Sequence, residues 1–210
     1  MPKKEQSLKQ LAAFLPPRTY DAVAHYLQQY KVHLTVARER KSILGDYRHR
    51  TTGKNHRISV NGNLNPYSFL ITLIHELAHL LQFEQHGNKV FAHGREWKTI
   101  FGQLLARFIQ GNVFPPDIKS ALQRSIENPA ASSCADDVLL RVLKKYDLKD
   151  STRKMVEELP QQTLFKTSDG RIFEKGERLR KRFKCVELKT KKLYLFSPVY
   201  EVEAVKSVDG

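Results

Sequence analysis

The most continuous apolar stretch of the chain is hydrophobic nearly all round. Leu70, Leu73, Ile74, Leu77, Ala78, Leu80 and Leu81 leave no broad polar face at helical spacing, the pattern of a buried helix. Asn65 followed by Pro66 supplies an N-cap and a proline at the first helical position, which predicts a helix over 66–83. QHGN then reads as its C-terminal turn, with Gly87 or Asn88 in the left-handed conformation. A second helical period, Trp97, Phe101, Leu104 and Phe108, predicts a helix over 95–110 with Trp97 in the core. Upstream, residues 7–15 form a short amphipathic helical pattern halted by Pro16 and Pro17, and Thr19 or Asp21 opens another helix ending near Tyr30. Alternation in residues 33–36 and 57–60 predicts strands, with a strand and hairpin between them turning at Gly45 and Gly53. Loops within 111–135 flank a helix over 117–126, and Asp136 opens another helical pattern. From Pro160 the period becomes that of about five short strands, a small antiparallel sheet. The fold class is α+β.

Three groups interrupt the central apolar helix: His75, Glu76 and His79. Residues four apart share one helix face about 5.4 Å along the axis, so both imidazoles can point at one metal ion. Glu76, beside the first of them, can reach a water on that ion and take its proton. The competing reading is a histidine pair satisfied by backbone carbonyls, with Glu76 facing solvent. Burying two imidazoles and a carboxylate without pairing costs several kcal/mol, which favours the metal. His25 reads as a surface or packing residue, and His49 and His56 read as solvated.

A catalytic zinc takes three protein ligands and keeps one position open. Two candidates follow the helix. His86 lies in its terminal turn, and Gln85 occupies the position six residues after His79. His93 opens HGREW just before the next helix, and a loop followed by a helix can bring it back to the first. That geometry, together with the family resemblance that HGREW carries, favours His93. Glu96, three residues on, reads equally as a support for a ligand or as a solvated side chain.

HELAH followed fourteen residues later by HGREW resembles the SprT-like metalloprotease family, which includes the Spartan proteases. LTVARERKSILGDYR and HRISVNGNLN, upstream, are similar to the family's strand–strand–helix entry. The resemblance implies a minimal zincin-type domain of helices with a small antiparallel sheet, one Zn2+ held by His75, His79 and His93, and Glu76 as the catalytic glutamate. It implies peptide-bond hydrolysis, with proteins on or crosslinked to DNA as substrates. In such proteases an edge strand pairs with extended substrate backbone, and here Tyr47 and Arg48 are expected to face the cleft. Residues 1–127 are then the metalloprotease domain, 128–160 a linker with a helix, and 161–210 a small basic β segment. Many relatives end in a four-cysteine zinc ribbon. This chain has only Cys134 and Cys185 and no CxxC, so its tail reads as a ribbon-like segment without that metal.

Charge adds a partner. The net charge is +14, and the excess sits at the ends: 12 Lys and Arg against 4 Asp and Glu in residues 1–60, and 12 against 7 in 161–210. Basic flanks around a near-neutral centre suit a polyanion, and the family resemblance implies that this polyanion is DNA, single-stranded or damaged. Within ERLRKRFKC, a strand would put Arg178, Arg180, Arg182 and Lys184 on one face, near Phe173, Tyr194 and Phe196 for base stacking. A metal-stabilised nucleic-acid-binding module with little protease activity is the rival reading. No apolar run approaches the ~20 residues of a membrane span, no signal peptide is visible, and the two cysteines suggest no disulfide. The expectation is a cytoplasmic or nucleoid-associated protein without a membrane partner.

Overall fold

Asn65 starts the central helix by bonding in two directions. Its Oδ1 accepts from Ser68 N at 2.9 Å, while its Nδ2 donates to Leu143 O at 3.0 Å and to Asp147 Oδ1 at 2.7 Å. One buried amide thus caps one helix and ties it to another. Asn65→Ala should lower stability by about 2 kcal/mol, because it removes the cap and both bonds that tie it to Leu143 O and Asp147 Oδ1. Chemical denaturation checks this.

The structure is a computed structural model that describes residues 8–40, 43–127, 136–147 and 153–205. The chain divides into two units, Met1–Asp147 and Leu148–Gly210. In the first, α1 (Leu8–Leu11) continues as a 3-10 turn (Ala12–Phe14), and α2 spans Tyr20–Gln29. β1 (His33–Ala37), β2 (Gly45–Arg48) and β3 (Arg57–Asn61) form a sheet in the order β1-β3-β2. α3 (Pro66–His86), α4 (Arg95–Gln110), α5 (Pro116–Glu127) and α6 (Asp137–Lys144) follow. α3 ends one turn later than its sequence pattern predicts, at Gly87 with φ 61. The sheet is mixed, not antiparallel. β2 folds back antiparallel on β3 and leaves β3 central, so β1 joins the other side running parallel to it.

Ile58 and Val60 of β3 point into one core with Phe69, Leu73, Ile74, Leu77 and Leu80 of α3 and Trp97, Phe101 and Leu104 of α4. Ile118 and Leu122 of α5 and Leu139 and Leu143 of α6 extend it. α3 is therefore enclosed on most sides, as its all-round hydrophobicity requires. β2, at the end of the sheet order, lies beside α3 and brings backbone close to it.

The second unit holds six strands: β4 (Arg153–Met155), β5 (Leu164–Lys166), β6 (Ile172–Leu179), β7 (Arg182–Glu187), β8 (Leu193–Phe196) and β9 (Glu201–Ala204). They pair antiparallel in the order β4-β9-β5-β6-β7-β8. Val156, Leu159, Phe165, Phe173, Cys185 and Val202 fill the core. Lys175 is buried among them. Its ammonium donates to the carbonyls of Leu159 and Glu157 and lies 4.3 Å from the centroid of the Phe183 ring. Those partners offset part of the cost of burying it.

The basic run is not one strand. The chain turns at Arg180 and Lys181, with Arg180 at φ 54, and Leu179 pairs with Arg182 across a two-residue hairpin. The register also shifts between Lys175 and Arg178. Arg178 consequently lies opposite Phe183, on the same face as Cys185, while Arg182 and Lys184 alternate to the other face. Lys184 is paired with Glu177 at 2.8 Å. Phe173, Tyr194 and Phe196 pack into the core instead of offering rings to bases. The expected stripe of Arg178, Arg180, Arg182 and Lys184 beside stacking aromatics does not form, because hairpin and bulge reset the alternation. Cys185 is buried with a free thiol, and Cys134 lies outside the described residues. Among the described residues no helix is long and apolar enough to cross a membrane.

Candidate metal centre

α3 presents His75 and His79 one turn apart, and the α3–α4 loop delivers His93 to them. The Nε2 atoms of His75 and His79 are 3.2 Å apart, as are those of His75 and His93. One ligand atom from each of the three lies within 4.8 Å of the others. Nitrogens bound about 2.0–2.1 Å from a tetrahedral ion are themselves roughly 3.3 Å apart. Trp97 forms the floor, with its ring centroid 4.6, 5.4 and 4.8 Å from those of His75, His79 and His93, and it stacks on Phe101. Its position one turn into α4 joins the loop histidine to the helical pair.

Electrostatics fit a cation. Burial, then the neighbouring His79 and His93, pushes the His75 pKa down to about 3. Burial and His93 push His79 down to about 4, opposed by the neighbouring Gln82 side chain. Burial also lowers His93. At neutral pH the three imidazoles are neutral, and their lone pairs converge where a divalent ion would be held. The residues present therefore fit a zinc-type ion.

Glu76 is buried beside them. Burial and then Asp46 raise its carboxyl pKa to about 8, opposed by Arg40. Arg40 is fixed by Asn61 Oδ1 at 2.8 Å and Ser59 Oγ at 2.9 Å. On its other side Glu76 meets the backbone of β2. A Cβ built on Gly45 would lie 2.4 Å from Glu76 Oε1 and 2.8 Å from Thr72 Cγ2, so only glycine lets strand and carboxyl meet this closely.

These groups line a cleft of about 450 Å3, with Gly45, Asp46, Tyr47 and His49 along one wall and Val90, Ala92 and His93 along another. Tyr47 lies parallel to the His79 ring, with centroids 6.4 Å apart. Its hydroxyl is 2.9 Å from His56 Nδ1, which also accepts the Arg50 N–H at 3.3 Å. That second contact makes Nδ1 an acceptor, so Tyr47 donates to it. His56 Nε2 is 3.2 Å from Glu84 Oε1 without hydrogen-bond alignment, an electrostatic contact. Burial pushes the His56 pKa down while Glu84 raises it, and burial is the larger effect.

His56, expected in solvent, is thus only 2% exposed and braces the cleft wall. Sequence gave no sign of this, because its partners Tyr47 and Glu84 belong to other elements. His49 follows the expectation of exposure but stacks on Phe83 at 4.5 Å. His86 occupies the last turn of α3 and is not in the cluster. Glu96 is half-buried near Gly94.

A model described as the SprT-like family matches residues 18–119, the span that contains β1–β3, α3, α4 and all three histidines. No curated protein and no solved structure matches the chain.

Proposed function

Because residues 18–119 form a SprT-like family domain around the three-histidine cluster, we propose that this chain is a zinc-dependent endopeptidase. The carrying observation is the convergence of His75, His79 and His93 with the buried carboxyl of Glu76 beside them. His75, His79 and His93 would hold the ion. Zn2+ bound there supplies a Lewis acid that polarises a carbonyl and acidifies water. Glu76 takes the proton of the attacking water and passes it to the leaving amine. Tyr47 and the carbonyl-bearing edge of β2 orient an extended substrate, since β2 ends the sheet order and has no further strand partner among the described residues.

Gly45 keeps Glu76 in place, so Gly45→Ala should lower hydrolysis by about 10²-fold, the scale of an ångström-sized misplacement, while zinc stays bound. Wild-type turnover in that variant would show that Glu76 tolerates displacement. Steady-state kinetics with metal analysis reads both.

The substrates we propose are DNA-associated or DNA-crosslinked proteins. The family resemblance, the +14 charge, and exposed Arg48 and Arg50 at the end of β2 support that reading. The rival is a metal-stabilised nucleic-acid-binding module. A purely structural zinc site is usually closed by four protein ligands, and the cluster among the described residues offers three, which supports the peptidase.

The test is cleavage of a basic DNA-binding protein by the zinc-loaded chain, with and without single-stranded DNA, beside Glu76→Gln. Cleavage needing Glu76 and DNA supports the full reading. Cleavage needing only Glu76 leaves a peptidase without DNA dependence. No cleavage with DNA binding retained favours the rival.

A further inference from the structure

Gln82 joins two of the three histidines through one side chain. It follows His79 by three residues on α3, so the two lie on neighbouring parts of one face. It is 5% exposed, unusual for a glutamine, and its amide reaches the cleft wall. Gln82 Nε2 donates to Phe91 O at 2.8 Å. The same carbonyl accepts from Gly94 N at 3.0 Å, which closes the turn that carries His93.

Apart from the His93 ring against Trp97, that turn is held by hydrogen bonds. Phe91 is 89% exposed, and His93 itself is exposed, so apolar burial of these two side chains does not anchor the segment. The doubly bonded Phe91 carbonyl does. With the NH2 end of the amide committed there, its oxygen end remains for His79, three residues back on the same helix, whose pKa Gln82 raises as an acceptor beside the ring does. His79 Nε2 faces His75 Nε2, so its proton belongs on Nδ1, where a carboxamide oxygen can accept it. His75 has no such support: its Nδ1 is buried without a hydrogen-bond partner.

We propose that Gln82 is a positioning residue of the metal centre, one amide setting the tautomer and ring angle of His79 while clamping the turn that delivers His93. The inference rests on the reading of the three histidines as a metal site. Outer partners of metal-bound histidines commonly contribute about 10–100-fold in affinity. Gln82 differs from a single outer partner because it links a helical ligand to a loop ligand. Loosening it therefore disturbs both.

The experiment uses the full chain and zinc, titrated against a chromophoric chelator, for wild type, Gln82→Met and Gln82→Glu. Methionine keeps the volume and removes both bonds. Its zinc affinity should fall about 10–100-fold, with faster amide exchange at Gly94 and loss of the single Nδ1–H tautomer of His79 by imidazole nitrogen NMR. Glutamate keeps an acceptor for His79 but has no donor for Phe91 O. It should preserve the His79 tautomer and still accelerate exchange at Gly94. A methionine variant with wild-type affinity and an unchanged His79 tautomer overturns the proposal. If that variant does not fold, Gln82→Asn replaces it; it withdraws both amide functions by one methylene and should show the same loss, and full affinity there also overturns the proposal. Wild-type protein that takes up no zinc sinks both this inference and the peptidase reading. Zinc uptake without proteolysis sinks only the latter.

Discussion

Glu76→Gln should lower peptide hydrolysis by about 10²–10⁴-fold, the usual contribution of a positioned general base, and leave zinc affinity unchanged. The amide has the shape of the carboxyl and keeps the contact with Gly45 and Thr72, but it cannot take a proton from the attacking water. Three histidines form the cluster without Glu76, so the ion should stay. The variant also replaces a group whose charged form is disfavoured by burial, so the metal-free melting temperature should not fall. Kinetics, metal content and thermal melts of one preparation check all three points. Full activity would remove Glu76 from the mechanism. Loss of zinc would make it a group that holds the ion.

Trp97→Ala should have the largest effect on the scaffold. The side chain is fully buried, stacks on Phe101 and lies against all three histidine rings. Truncating a buried tryptophan costs about 3–5 kcal/mol through lost burial and the cavity left behind. In a unit of this size that corresponds to a melting temperature lower by roughly 10 °C or more. Zinc affinity should fall with it, because the floor that fixes the mutual angles of the ligands is gone. Trp97→Phe should retain most of both properties. The indole Nε1 is buried without a hydrogen-bond partner, so phenylalanine gives up packing area but no bond. Differential melts with and without zinc separate the two effects. An alanine variant that melts like wild type would show that the helices collapse to fill the space.

The two substitutions act on different levels of one design. Trp97 and the α3 leucines provide a rigid apolar body, and Glu76 is carried on it at a position where β2 backbone closes the other side. Gly45 is the point of contact between the two. An added methyl there would meet the carboxyl directly, and an added methyl at Gly62, which is also tight, would meet Val36 well away from the cluster. Comparing Gly45→Ala with Gly62→Ala therefore distinguishes displacement of Glu76 from general strain in the sheet.

What the sequence determined by itself was local. The all-round apolar period of α3, its start at Asn65 and Pro66, and the placement of His75 and His79 on one face follow from 3.6-residue geometry, which neighbours along the chain are enough to set. Glu76 beside them, Trp97 on the next helix and the strand character of residues 33–36 and 57–60 were legible for the same reason. Tertiary structure decided which groups far apart in the chain meet. Periodicity could not choose between His86 and His93, because a loop carries the second, and its path is fixed by hydrogen bonds to Phe91 O from the Gln82 side chain and Gly94 N and by packing of α4 on α3. Nor could it bury His56 against Tyr47 and Glu84, or place Lys175 beneath Phe183. The basic run reads as one alternating strand until Arg180 takes a positive φ and the register shifts, and then its cations divide between two faces. Gln82 looked like one more polar residue at the end of an apolar helix. Only the return of the loop gave the NH2 end of its amide the Phe91 carbonyl to hold, because a hydrogen bond depends on positions in space that a helical period does not encode.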